Sequence, residues 1–416
     1  MPLGGMAAEK LGFRVVVGAS CLLVSGGVLL TYITVQKSFI GVIITYSLMK
    51  GAGLGFGYSV VLAVATTWFP ARRGLVVGMI VGGFGLGALI FTPIQTAYIN
   101  PENIKVNNKT RQMTDETVLN RVPSAFLMLG GILLSLQVIG FILLRPKPVS
   151  TTELGDKKVE DGRKKETGDL ENAPGLESEG MLEENLQPKQ VIRRLDFYLL
   201  WIVMFCNIIP ITIITSIYKY FGQEYISDDF FLSSVATVSA LFNCGGRIMW
   251  GAIVDKISFK IPLCVMLFVW SLILLTFPHL SFFDGVLLKS LYTIWVCLLF
   301  LSLSGVFVMM PAATGILFGP ANLAVNYGLV FNAFAAGSLV CGVITTLVEA
   351  KNAYLVQFTG CGCVCLIALF TALWIEDRKM PRKWNICRWC TSQCKNLRGG
   401  DTRAARESVK MDKLEN

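Results

Sequence analysis

Gly251-Ala252-Ile253-Val254-Asp255-Lys256-Ile257-Ser258-Phe259-Lys260 lies past the middle of this chain, and Gly5-Met6-Ala7-Ala8-Glu9-Lys10-Leu11-Gly12-Phe13-Arg14 repeats its pattern near the start. Each copy reads glycine, three small or apolar residues, an acid, lysine, two further residues, phenylalanine and a base. Laid over one another, the copies are offset by 246 positions, 255 minus 9. Self-similarity at a fixed offset marks a duplicated structural unit. Each copy ends one apolar run and opens another, so each reads as a tight turn between two helices.

Working outward from these turns, apolar runs of about 20 residues recur from Phe13 to Trp374, the length a helix rising about 1.5 Å per residue needs to cross a bilayer core of roughly 30 Å. The expected spans are 13–34, 39–67, 74–99, 122–144, 196–217, 231–254, 260–279, 290–314, 327–348 and 353–375. They mix Leu, Ile, Val and Phe with Gly and Ala, as helices packed in lipid require, and lack the alternation of barrel strands. Composition excludes an ordinary soluble domain: of 416 residues, 53% are in the AVILMFWYC class and 16% are charged, with a mean hydropathy of +0.59. The fold class is therefore all-α, a polytopic membrane helical bundle.

Four spans follow each copy of the turn. Two spans, 196–217 and 231–254, stand before the second copy, but only Met1 to Ala8 stand before the first. The duplication thus predicts six helices in each half and an incomplete chain whose N-terminal half, 1–148, lacks one span and most of another. The C-terminal half is 196–376, and 377–416 is a basic tail. Between the halves, 149–195 is a flexible linker, because a stretch rich in Glu, Lys, Gly and Asp buries too little apolar surface to fold alone. The opening residues lack the h-region and cleavage site of a signal peptide, so none is expected there.

The chain carries a formal charge of +9. Arg72, Arg73, the 145–195 segment, Lys256, Lys260 and the tail fall on one side if the spans alternate, which makes that side cytoplasmic. Lys105, Lys109, Arg111 and Arg121 fall on the other, in a loop that also holds the glycosylation sequon at Asn108. Most of the 12 cysteines lie within spans, where they read as small packing residues. Cys387, Cys390 and Cys394 lie among bases in the tail; zinc would need a fourth ligand there, and His279 is expected on the opposite side. Juxtamembrane lipidation with anionic-lipid contact fits them, and unmodified thiols remain the alternative.

Two six-helix halves, a central loop and that paired turn resemble the plan of the major facilitator superfamily. Within it the chain resembles the oxalate:formate antiporter and monocarboxylate transporter group through GAGLGFGYSVVLAVATTWFPARRGLVVGMIVGGFGLG at 51–87, NCGGRIMWGAIVDK at 243–256 and FGPANLAVNYGLVFNAFAAG at 318–337. The resemblance implies alternating access and a conformational lock at Glu9, Lys10, Arg14, Asp255 and Lys256. It also implies that Arg247 binds a substrate carboxylate. Where that group carries an aspartate used in proton coupling, this chain has Asn243, which cannot titrate. Where the oxalate transporter carries a second cation, this chain has Phe334, so one cation for one carboxylate favours formate, lactate or pyruvate over oxalate.

The residues support the same site independently. Arg247 stands eight positions before Asp255, about 12 Å deep along a helix, near the middle of the bilayer core. A cation there is costly and faces a cavity or a partner, and guanidinium pairs with a carboxylate in bidentate fashion; snorkelling to the surface is the alternative. Asn243 lies one turn away on the same face. Lys50, about ten residues into its span, is a second clamp or snorkels outward. Tyr58 and Asn332 are candidate donors to a carboxylate or plain packing residues. The glycines of 51–57 and 78–87 let helices touch backbone to backbone, for packing or for sliding; no strand precedes them, so no nucleotide loop is read there.

The expected function is secondary active transport of a small organic anion, with a proton or counter-anion as partner. A non-transporting receptor or inactive isoform is the alternative. No enzyme chemistry, cofactor or nucleic-acid partner is implied. The expected location is the plasma membrane, or else an organelle membrane.

Overall fold

The computed structural model describes residues 1–102, 115–146, 185–226, 228–347 and 354–377. The sequon at Asn108, the tail cysteines and nearly all of the linker lie outside them.

Among the described residues, twelve α-helical segments follow in chain order. They are α1 (Pro2–Leu11), α2 (Phe13–Lys37), α3 (Phe39–Trp68), α4 (Arg73–Ile99), α5 (Glu116–Leu143), α6 (Pro188–Val191), α7 (Leu195–Tyr225), α8 (Asp229–Ile257), α9 (Lys260–Thr276), α10 (Gly285–Phe318), α11 (Leu323–Leu347) and α12 (Tyr354–Trp374). Among the described residues, nine helices are long and apolar enough to cross a membrane. The tenth expected span, 231–254, forms as α8 over its full length but is not among the nine. Ser233, Ser234, Thr237, Ser239, Asn243, Arg247 and Asp255 make it too polar, and a helix that keeps such residues within a bundle has a wet or partnered side to give them.

The larger buried core lies among α7, α9, α10 and α12, where Trp270, Tyr292 and Phe358 are fully buried, as is Phe277 just past the end of α9. Before the linker, α2 packs on α3 and α5. Ser25 of α2 donates to Gln137 of α5, and the Ser20 hydroxyl donates to the Gly53 carbonyl at 2.7 Å. Within α3 the backbone widens to a π-helix over Ile43–Met49, a local change of register of the kind that clusters at functional sites. Thr45 in that turn hydrogen-bonds Thr31 at 3.0 Å and Thr34 at 2.9 Å, which pins the widened turn to α2 just ahead of Lys50.

Two seams join the helices on either side of the linker. In the first, α4 and α8 cross at backbone contact: a Cβ added to Gly74 would lie 2.6 Å from the Gly251 carbonyl oxygen, and one added to Gly78 would overlap the Arg247 carbonyl. In the second, α1 is wedged between α3 and α11: Gly4 meets the backbone of Phe56, and a Cβ on Gly5 would lie 2.8 Å from the Val325 nitrogen. Gly5 and Gly251 are equivalent in the repeated turns, and each seats against the first turn of a helix from across the linker. The duplication read from the sequence thus recurs as a pair of matching helix contacts.

The ends of these seams differ. Asp255 accepts the N–H of Gly74 at 2.7 Å and that of Leu75 at 2.8 Å, placing a carboxylate on the positive end of α4. Glu9 is exposed, as are Lys10, Arg14 and Lys256. The first turn of α11 is met instead by the end of the linker: Asn322 and Asn326 each donate from Nδ2 to the Leu186 carbonyl, at 3.0 and 3.2 Å.

Candidate substrate-binding site

Arg247 is 7% exposed. Its Nε donates to Asn243 Oδ1 at 3.2 Å and its Nη1 to the Val81 carbonyl of α4 at 2.6 Å. The guanidinium carbon of Arg247 lies over the ring of Phe307 of α10, 5.2 Å from its centroid, a cation–π contact. All of these partners are neutral. The Nη2 edge is taken by no described residue, so part of a planar five-donor fork remains for a ligand. Glycine accounts for the approach: Gly78, Gly82 and Gly85 clear the face of α4 that α8 meets, and no side chain screens the Val81 carbonyl.

Beyond Phe307 an aromatic row continues across α11 to α3. Phe307 contacts Phe334 at 6.4 Å between centroids, and Phe334 stacks on Phe331 at 5.0 Å. Phe331 then meets Tyr58 at 5.9 Å and Tyr327 at 5.6 Å. Tyr327, Phe331 and Phe334 are spaced four and three apart, which puts them on one helix face. Tyr58 also contacts Phe84 of α4 at 5.9 Å and lies within electrostatic reach of Arg247. The Tyr327 hydroxyl is buried near that of Tyr58 and closes no hydrogen bond of normal geometry.

Of the residues singled out from sequence, Arg247, Asn243, Tyr58 and Phe334 therefore fall into one continuous cluster. Lys50 does not join it: its ammonium donates to the Tyr46 hydroxyl at 3.3 Å and lies 4.3 Å from that ring's centroid. Asn332 is exposed and turned about 100° from Phe331 around α11. Phe307, Tyr327, Phe331 and the Val81 carbonyl were not anticipated. The α11 pair could have been found from the spacing to Phe334, whereas nothing in the sequence marks a backbone carbonyl as a partner. Among the described residues, no group of three or more His, Cys, Asp or Glu side chains is placed to hold a metal.

A sequence model of the Major Facilitator Superfamily matches residues 1–340. The chain belongs to that superfamily. Its members are multi-pass membrane transporters rather than enzymes. Among curated superfamily relatives, apicoplast pyruvate carrier 1 of Toxoplasma gondii is 28% identical over 368 residues, covering 83% of this chain and 66% of that one. The oxalate:formate antiporter of Oxalobacter formigenes is 24% identical over 383 residues, covering 91% and 79%. The chain thus spans just under two thirds of the length of the first. Two solved structures share the fold: the Escherichia coli fucose:proton symporter FucP, with a TM-score of 0.61 at 13% identity over 90% of this chain and 86% of that one, and the human organic anion transporter MFSD10, with a TM-score of 0.57 at 14% identity over 89% and 79%. At such identity the likeness speaks for the superfamily architecture alone.

Proposed function

We propose that the protein is a secondary carrier of a small monocarboxylate, moved by alternating access, whose carboxylate pairs with Arg247. The observation that carries this is the buried guanidinium held only by neutral groups, with Nη2 taken by no described residue, beside a row of mostly half-buried aromatic rings. A charge so placed gains most from a ligand that brings its own negative charge and a planar pair of oxygens. Relatives named for pyruvate and for oxalate and formate support the same class of cargo. Phe334, stacked on Phe331, offers no second cation, which favours one carboxylate over two. Asn243 offers no titratable group, which favours a counter-anion over a proton as the coupled partner. Asp255 on the α4 N-terminus serves as the cytoplasmic lock.

Uptake of labelled formate, lactate, pyruvate and oxalate into vesicles carrying the protein tests this, with Arg247→Gln as the comparison. Loss of the paired charge is expected to lower monocarboxylate uptake by about 10- to 100-fold, the value of roughly 1.5–3 kcal/mol for a bond to a charged group. Equal uptake by wild type and Arg247→Gln would remove the carboxylate role.

A further inference from the structure

We infer that the Arg247–Val81 bridge is exchanged for the substrate carboxylate, so that anion binding itself releases α8 from α4; this rests on the anion-carrier function proposed above. The geometry of one side chain carries it. A guanidinium offers a carboxylate two bidentate edges, Nε with Nη2 and Nη1 with Nη2. The first is blocked, because Nε donates to Asn243 at 3.2 Å within α8 itself. Only the Nη1–Nη2 edge is left, and Nη1 already donates to the Val81 carbonyl at 2.6 Å. A carboxylate that takes this edge draws on the nitrogen that already serves Val81, and in the inferred exchange it takes the place of that carbonyl.

The two contacts of Arg247 consequently play different parts. Asn243 is a positioning residue: it sits four residues away on the same helix, moves with Arg247, and fixes which edge is presented. Val81 belongs to a helix from across the linker, so its carbonyl is a bridge between the two groups of helices. That carbonyl loses little when released, since within α4 it also accepts the N–H four residues on. The guanidinium, by contrast, exchanges a neutral acceptor for one of opposite charge, which adds a Coulomb attraction and a second, parallel bond from Nη2. The glycine contacts of Gly74 and Gly78 beside the bridge have no side chains to disentangle when the helices part. Binding energy is thereby directed to the seam whose opening the transport cycle needs, and a ligand shifts a conformational equilibrium only by such a difference in affinity.

The bridge predicts a cost to binding. Apparent affinity is reduced by the fraction of molecules in which Nη1 is free, so weakening the Val81 acceptor should tighten binding. Replacing Gly82 by its α-hydroxy analogue turns the Val81 carbonyl into an ester carbonyl, a poorer acceptor, and leaves every side chain in place. L-lactate binding to the full chain is expected to tighten about tenfold. The same replacement at Gly83, which weakens the Gly82 carbonyl instead, is expected to leave it unchanged.

Should the ester chains fail to fold, hydrogen exchange in the native chain decides. Saturating lactate is expected to speed exchange of the Gly82–Gly85 amides in wild type and to leave Arg247→Lys unaffected. Lactate that binds wild type through Arg247, yet with equal affinity in the two ester chains or with unchanged exchange, overturns the exchange and leaves the carrier function standing. No binding of lactate, formate or pyruvate to the wild-type chain overturns both.

Discussion

Gly74→Ala puts the first seam under a defined strain. The added Cβ would lie 2.6 Å from the Gly251 carbonyl oxygen and 2.9 Å from Asp255 Oδ1, against the 3.4 Å at which ordinary contact begins. Backbone cannot swing aside as a side chain can, so α4 and α8 must part by about 0.8 Å at this end. A rigid shift of that size stretches the two bonds that Asp255 accepts, now 2.7 and 2.8 Å, to about 3.5–3.6 Å, the limit at which they cease to count as hydrogen bonds. Bonds to a charged group contribute about 1.5–3 kcal/mol each. Allowing for water that replaces them at a half-buried carboxylate, the closed seam loses roughly 2–4 kcal/mol, a shift of about 30- to 700-fold in its population. Cys244 is the native reporter: it is buried, with its Cβ 3.1 Å from where a Cβ on Gly85 would stand. The rate of its alkylation by an aqueous maleimide, read by peptide mass spectrometry, is expected to rise by tens of fold or more. Gly83→Ala is the control, since nothing lies within 4 Å of that Cβ. Equal alkylation rates in the two variants would refute the account of the seam.

Other perturbations separate the remaining roles. Asp255→Asn keeps one acceptor but loses the charge on α4, and should speed Cys244 alkylation, whereas Glu9→Gln on the exposed counterpart should not; identical responses would contradict the unequal seams. Asn243→Asp places a carboxylate against Arg247 that competes with substrate while ionised. Its uptake should rise as pH falls and the acid protonates, and a pH profile as flat as that of wild type would count against Arg247 as the anion site. Phe334→Lys adds a second cation beside Phe307 and Phe331, so oxalate should begin to compete with lactate for uptake; unaltered selectivity would show that position to be remote from the cargo.

The helices were legible because crossing a bilayer fixes their length, and charged residues or prolines punctuate their ends. Expected 39–67 and 353–375 appear as Phe39–Trp68 and Tyr354–Trp374. The expected 290–314 grew to Gly285–Phe318 because hydropathy reports the greasy middle of a helix and not the turns that extend it into the interface. Arg247 was legible from its cost in hydrocarbon. Its principal partner was not, for a carbonyl has no letter in the sequence and becomes available only where glycines bring two helices together. The repeat suggested equal roles for Glu9 and Asp255, but similarity of letters does not fix which turn a carboxylate reaches. The π-helical turn before Lys50 was equally silent, since it depends on threonines of α2 and α3 meeting in space.

One of the two seams is bolted where its counterpart is merely leaning. The α4–α8 side has both a carboxylate on a helix end and a guanidinium on a carbonyl, while the α1–α11 side rests on close glycine contact. A body so fitted swings like a door, with the fastened edge as its jamb and the bare edge as the side that leaves the frame first. Spin labels across the two edges should register that order: the α1–α11 distance widening first, and the α4–α8 distance widening only once cargo has arrived.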